Sequence, residues 1–140
     1  NMGYLVKLDT NGSNPRMLRQ LLEEKLLDYV AMDIKNCPDR YRETCGGVEI
    51  LPQVEECLNL LQNSAVEWEL RTTLCKPFHD GEALEAIGKW LSDVPAYYIQ
   101  NFEDSGNLIQ SGLSGFSPEE LEILADSARK HLKAVIIRGK

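Results

Sequence analysis

Apolar and polar positions along this chain fall into short blocks whose spacing switches between two and about 3.6 residues. Tyr4-Leu5-Val6 is a brief apolar run leading into Leu8-Asp9-Thr10-Asn11-Gly12. A strand that ends in Asn-Gly and turns at once into a helix is the βα corner of an α/β protein. The helix is predicted to be capped by Asn14, with Pro15 at its first position. Met17, Leu18, Leu21 and Leu22 give it an apolar stripe. Asp28 to Lys35 reads as a second strand, again apolar and again closing on charge. A loop from Asn36 to Leu51 carries Pro38, Gly46 and Gly47; it is long for a βα connection, and long loops often carry function.

Pro52 opens the next helix, with Val54, Cys57, Leu58 and Leu61 on one face. Val66 to Leu74 alternates strictly, Val66, Trp68 and Leu70 against Glu67, Glu69 and Arg71, as a strand should. A third helix starts at Asp80 or Gly81, aligns Leu84, Ile87 and Leu91, and is stopped by Pro95. Ala96 to Asn101 is a fourth strand, and Phe102 to Phe116, rich in Gly and Ser, is a loop. Ser117-Pro118-Glu119-Glu120 is a capping box with proline at the first helical position. Leu121, Leu124, Ala125 and Ala128 follow as that helix's buried stripe, and Ala134 to Ile137 is a fifth strand.

Five strands alternating with four helices imply parallel pairing through crossovers. Parity then separates two faces. Lys7 and Asp9, Asp33 and Lys35, Glu69, Arg71 and Thr73, and Tyr98 and Gln100 lie on one; Val6, Leu8, Val30, Met32, Ile34, Trp68 and Leu70 lie on the other. A doubly wound sheet needs both faces apolar. One apolar, helix-covered face and one that collects charge near the strand ends fit a curved sheet with a polar mouth. A complete (β/α) barrel has ~8 strands and ~250 residues, so the expected fold is a partial barrel in one domain spanning 1–140.

Composition trims the functional classes. Lys+Arg 15 against Asp+Glu 22 leaves a net charge of −7, a poor footprint for nucleic acid. No apolar run approaches the ~20 residues of a membrane span, and no signal peptide is visible, so a cytoplasmic location is expected. Asn1 ahead of Met2, with a strand beginning almost at once, suggests a trimmed sequence. Cys37, Cys45, Cys57 and Cys75 are irregularly spaced and form no Cys-x-x-Cys pair; reduced thiols are expected, Cys57 in the core and Cys75 nearest a site. A structural zinc is not supported. His79 reads as a solvent-exposed loop residue, and His131 as a cation near a helix C-terminus. No serine, histidine and acid constellation can be assembled.

Leu8-Asp9-Thr10-Asn11-Gly12, Ala31-Met32-Asp33-Ile34-Lys35, Arg71-Thr72-Thr73 and Tyr98-Ile99-Gln100 occur in an order that resembles the radical S-adenosylmethionine activating enzymes. The likeness is greatest to the activating protein of anaerobic ribonucleoside-triphosphate reductase, with pyruvate formate-lyase activating enzyme next. It covers nearly the whole chain but only the C-terminal portion of that family's domain. The resemblance implies a [4Fe-4S] cluster held by a Cys-x-x-x-Cys-x-x-Cys loop. It also implies reductive cleavage of S-adenosylmethionine to a 5′-deoxyadenosyl radical, and hydrogen abstraction from a glycine of a glycyl-radical partner enzyme. An electron donor such as flavodoxin or ferredoxin follows from the same likeness. The chain departs from the pattern decisively: it has neither that cysteine loop nor the Gly-Gly-Glu stretch that follows it. The cluster-binding segment is therefore expected upstream, and the chain alone is expected to be inactive.

The matching residues take expected roles from the resemblance. Asp9 and Asp33, at neighbouring strand ends, would repel each other and the ligand carboxylate without a cation or basic partner between them. Lys35 and Arg71 are on the right face to act as that partner, and Arg71 can grip a carboxylate bidentately. A hard cation bound by Asp9 and Asp33 is a second solution. Structural ion pairing of Asp33, Lys35 and Arg71 is the competing account. Asp9 also suits an Asx-type turn; Thr10 is expected to act through its backbone, and Gln100 either faces adenine or satisfies a strand end. Two further functions remain open: a barrel lyase using Lys35 as a Schiff-base amine, opposed by the neighbouring Asp33, and a non-catalytic remnant that docks a partner. Truncation before Tyr4 would leave an unpaired strand edge prone to self-association.

Overall fold

The computed structural model of the chain describes residues 5–103 and 113–138. Its strands are β1 (Lys7–Thr10), β2 (Tyr29–Asp33), β3 (Glu67–Leu74), β4 (Tyr97–Asn101) and β5 (Val135–Arg138). Five α-helices alternate with them: α1 (Pro15–Glu23), α2 (Tyr41–Thr44), α3 (Leu51–Gln62), α4 (Gly81–Trp90) and α5 (Pro118–Arg129). The four expected helices are α1, α3, α4 and α5. The short α2, preceded by a 3-10 turn at Pro38–Arg40, folds up part of the 36–51 connection that was expected to be loop. Tyr4, and residues 104–112 of the expected loop Phe102 to Phe116, lie outside the described residues.

Each helix start has a local chemical cause. The Asn14 side chain accepts a hydrogen bond from the Met17 amide at 3.1 Å, with Pro15 at the first position of α1. Asp80 caps α4 by accepting from the Ala83 amide at 2.9 Å. At α5 both halves of the capping box form: Glu120 N–H donates to Ser117 Oγ at 3.1 Å, and Ser117 N–H donates to Glu120 Oε1 at 2.8 Å. Each satisfies a backbone donor that the helix leaves unpaired.

All strands are parallel and stand in sequence order, β1-β2-β3-β4-β5. Crossovers of one hand between strands laid down in one direction put every helix on the same side of the sheet. The order never reverses, so there is no doubly wound architecture and no switch point. The sheet is a barrel segment with a single layer of helices. Its core is the apolar parity of the strands, Val30, Met32, Ile34, Leu70, Leu74 and Ile99, packed on Leu18, Val54, Leu61, Leu84, Ile87, Leu124 and Ala128. Two polar groups in this layer satisfy each other: the buried Tyr97 hydroxyl donates to Thr72 Oγ1 at 2.6 Å.

The first strand sits later than the apolar run suggested. Leu5 is 88% exposed, and the ladder begins only at Lys7. The cause is its partner: β1 pairs Lys7 with Tyr29 and Thr10 with Met32, so the length of β2 sets where β1 can start. Asp9 thus lies opposite Ala31 inside the ladder, one residue before the strand's end. The corner beyond it is held by Thr10 Oγ1 accepting from the Gly12 amide and Asn11 Oδ1 from the Ser13 amide, at 3.1 and 3.0 Å. Gly12 has φ of +78°, and a Cβ there would meet Met32 and Val54 at 3.0 and 3.2 Å.

Helices α4 and α5 approach closely at Gly88 of α4. A Cβ on it would lie 2.5 Å from the Ala128 carbonyl oxygen of α5, with Ala128 C and Cα at 3.2 Å. Backbone cannot yield as a flexible side chain can, so Gly88→Ala should destabilise the chain by about 1–3 kcal/mol despite alanine's better helix propensity. Urea unfolding checks this; a variant as stable as the parent would mean that α4 and α5 separate freely.

Candidate functional site

Parity carries Asp9, Asp33, Lys35 and Arg71, among other charged side chains, onto the face of the sheet that the helices leave bare. Asp33 and Arg71 are direct register partners on β2 and β3, which places them side by side. Arg71 Nε donates to Asp33 Oδ1 at 2.8 Å, and its Nη1 lies 3.6 Å from Asp9 Oδ1 on β1. The guanidinium therefore stands between the two aspartates. Burial works against its charge, but Asp33, Asp9 and Glu69 more than offset this and raise its pKa. Lys35 Nζ is 3.6 Å from the other Asp33 oxygen, and Lys7 Nζ is 3.8 Å from Asp9.

Exposure decides what these pairs can do. Asp33, Lys35 and Asp9 have 33%, 44% and 59% of their side-chain surface open. Ion pairs this wet contribute about 0–1 kcal/mol to folding. Arg71 is more enclosed, with 21% of its side-chain surface open, and its 2.8 Å pair with Asp33 is half-buried. The open surface of Asp9 and Lys35 leaves acceptor and donor capacity facing solvent. Asp9 and Asp33 by themselves are few ligands for a hard cation, which takes six or more oxygens. No group of three or more His, Cys, Asp or Glu that could hold a metal occurs among the described residues.

Thr10 Oγ1 accepts from the Gly12 amide, and its backbone pairs with Met32 in the β1–β2 ladder. Gln100 lies half-buried on β4 between Thr73 and Arg138, on the same bare face but in a strand beyond Arg71. Asp9, Asp33, Lys35 and Arg71 are thus gathered into one cluster, with Thr10 at its edge and Gln100 to one side.

A second polar cluster was not anticipated. Glu69, 3% exposed, accepts from the Tyr29 hydroxyl and from both Arg138 terminal nitrogens at 3.0 and 3.3 Å. Arg138 lies flat on the Tyr98 ring, 3.8 Å from its centroid. Burial alone would push the Glu69 pKa up, but the hydrogen bonds from Arg138 and Tyr29 bring it below the usual carboxylate range. The parity of Glu69 and Tyr98 was legible; Arg138 lies one residue past the expected end of the fifth strand, and the convergence of the four depends on tertiary structure.

His79 corrects the expectation of a solvent-exposed loop residue. It is 5% exposed, its Nε2 lies 2.8 Å from the Lys35 carbonyl oxygen, and its Nδ1 accepts from the Cys75 amide at 3.1 Å. The connections after β2 and β3 fold over one another and enclose the ring. Asn36, fully buried, joins them as well by donating to Thr44 Oγ1 and to the Phe78 carbonyl, both at 2.9 Å. Nothing in the local sequence marks His79 for burial, since its partners come from another connection.

The cysteines do not suit an iron–sulfur cluster. All four are free; Cys37, Cys57 and Cys75 are buried, and Cys57 Sγ is directed at the Gly12 carbonyl at 3.5 Å. Burial raises the pKa of each thiol, opposite to what a thiolate ligand needs. A groove of about 720 Å³ between α1 and α3 is lined by Leu22, Leu27, Leu60 and Val66 at the N-terminal end of β3. In α/β barrels that end of the strands serves stability, and chemistry sits at the other.

Burial holds His79 neutral by lowering its pKa from the ordinary value. The unfolded chain binds a proton below about pH 6.5 while the folded chain resists it. That stability is therefore present above this pH and should be lost progressively as the pH falls from about 6.5 to 5.5 and below. Urea titrations across this range, compared with His79→Phe, test the assignment; the same slope in both proteins would refute it.

No protein-family model matches the chain. Over 97% of its length it is 35% identical to a curated relative, the putative glycyl-radical enzyme activating enzyme MJ1227 of Methanocaldococcus jannaschii. The chain spans 59% of that protein's length. Its fold is similar to the crystal structure of a domain of pyruvate-formate lyase-activating enzyme from Bacteroides vulgatus, with a TM-score of 0.71 at 12% identity. That likeness covers 98% of this chain and 83% of the other. By sequence the chain is thus similar to a putative glycyl-radical enzyme activating enzyme, and by fold to a domain of a pyruvate-formate lyase-activating enzyme.

Proposed function

We propose that this chain is the ligand-facing, C-terminal portion of a radical S-adenosylmethionine activase that generates a glycyl radical on a partner enzyme. The observation that carries the reading is the open cluster of Asp9, Arg71, Asp33 and Lys35 around the C-terminal end of β2, flanked by β1 and β3. It occurs in a chain 35% identical to a putative glycyl-radical enzyme activating enzyme. The amino-acid end of S-adenosylmethionine is a zwitterion, and this cluster offers both complements. Lys35 and Arg71 take the carboxylate, and Asp33 or Asp9 takes the ammonium. A hard cation joining the ligand carboxylate to Asp9 and Asp33 is the other way to satisfy the same charges. Thr10 and Gln100 complete the binding edge. When reductively cleaved, S-adenosylmethionine supplies the carbon radical that takes a hydrogen atom from the partner's glycine.

The glycine belongs to an anaerobic ribonucleotide reductase or a pyruvate formate-lyase-type enzyme, and flavodoxin or ferredoxin supplies the electron. The cysteines of this chain do not suit the cluster, so its ligands belong to another part of the protein. The activity is cytoplasmic; no helix among the described residues is long and apolar enough to cross a membrane. The chain alone is inactive and self-associates through the open edge of β1, where Leu5 is 88% exposed. A Schiff-base lyase is disfavoured because Lys35 is an exposed ion-pair partner of Asp33 and lacks the apolar pocket such an amine uses.

Two experiments test this reading. Anaerobic reconstitution of the 140-residue chain should yield no stoichiometric cluster by iron and sulfide analysis, whereas about four irons per chain would show that its own thiols are ligands. In the full-length protein, Asp33→Asn or Lys35→Met should each remove a charge-assisted contact worth ~1.5–3 kcal/mol. S-adenosylmethionine binding should weaken by roughly 10- to 150-fold, with cluster content unchanged and little change in melting temperature. Unchanged affinity with a large loss of stability would instead make these residues structural.

A further inference from the structure

Lys35 stands beyond the end of β2, where the ladder no longer holds the backbone. Ile34 makes the last sheet contact, its amide donating to the Arg71 carbonyl at 2.8 Å. One residue on, both backbone groups of Lys35 are taken by side chains. Its N–H donates to the Tyr41 hydroxyl at 3.0 Å, and its carbonyl accepts from His79 Nε2 at 2.8 Å. These come from different places, Tyr41 from α2 and His79 from the connection between β3 and α4.

Both partners are themselves immobilised. Tyr41 is fully buried and meets the Trp90 ring edge-on, with centroids 6.2 Å apart. His79, almost fully buried, is tied back to the Cys75 amide, which fixes its ring and leaves Nε2 as the nitrogen that carries the hydrogen. Asn36 binds the two connections together next to this point. Two buried aromatic side chains spent on the backbone of one exposed lysine is an expensive arrangement if that lysine only decorates the surface.

We propose that Tyr41 and His79 are positioning residues, a two-sided clamp that sets Lys35 in place over Asp33 for ligand binding. The clamp rests on the reading of Lys35 as a contact to S-adenosylmethionine, and it adds residues that touch no ligand. It explains why a lysine past the last ladder bond can be held at 3.6 Å from Asp33. It also explains the burial of a histidine between two connections that are joined as well by Asn36 and by the Arg40–Asp80 pair at 2.9 Å.

The test uses the full-length, cluster-loaded protein, with S-adenosylmethionine affinity and melting temperature measured on each variant. Tyr41→Phe removes only the hydroxyl and keeps the packing against Trp90. His79→Phe removes both ring contacts, while His79→Gln keeps an amide able to reach the Lys35 carbonyl. Tyr41→Phe and His79→Phe should each weaken binding by roughly 3- to 10-fold, and His79→Gln should recover most of the loss. In a Lys35→Met background, Tyr41→Phe should add less than about twofold, because residues acting through one contact are not additive. A full Tyr41→Phe effect in that background, or parental affinity in both Tyr41→Phe and His79→Phe, overturns the clamp alone. Parental affinity in Lys35→Met overturns the ligand reading, and the clamp's role falls with it.

Discussion

The arrangement depends on one constraint: parallel strands laid down in sequence order carry all their crossover helices on one side. One face of the sheet is then buried and the other is not, so a single period-two alternation decides what every strand residue does. Val30, Met32, Ile34, Leu70 and Ile99 enter the core with almost no exposed surface. Their neighbours Asp33, Glu69, Arg71, Tyr98 and Arg138 have no helix to meet, and must find partners among themselves or in solvent.

They do so in two distinct ways along the same face. Around the C-terminal end of β2, Arg71 separates Asp9 from Asp33, and the charges stay open to water. Over β3–β5, Glu69 is closed in by Tyr29, Arg138 and Tyr98. A satisfied and nearly buried carboxylate has nothing left to offer, and serves to brace the curved sheet across β4. An exposed set with unspent oxygens and donors can exchange its partners for a ligand. The contrast between these clusters is one of satisfied, buried groups against groups left open to solvent.

The connections beyond the strands follow the same logic of satisfied groups. Past Ile34 the backbone leaves the ladder, and its polar groups would be orphaned next to a buried core. Tyr41, His79 and Asn36 take them up, which also draws the connections after β2 and β3 into one packed unit. The short α2 belongs to this unit, since it delivers Tyr41 to the Lys35 amide and Thr44 to Asn36.

Much of this was determined by the sequence itself, because it depends on neighbours a few residues apart. The caps at Asn14, Asp80 and Ser117, the Asn11-Gly12 corner, the stripes of the four longer helices and the two-faced parity of the strands are all local. The grouping of Asp9, Asp33, Lys35 and Arg71 on one face follows from parity together with parallel order. Tertiary structure alone decided which of those charges touch, where β1 begins, and that His79 is buried. Arg71 meets Asp33 from 38 positions away, His79 meets Lys35 from 44, and Arg138 meets Glu69 from 69. Contacts of that reach depend on register, curvature and the folding of one connection over another, and no spacing along the chain encodes them.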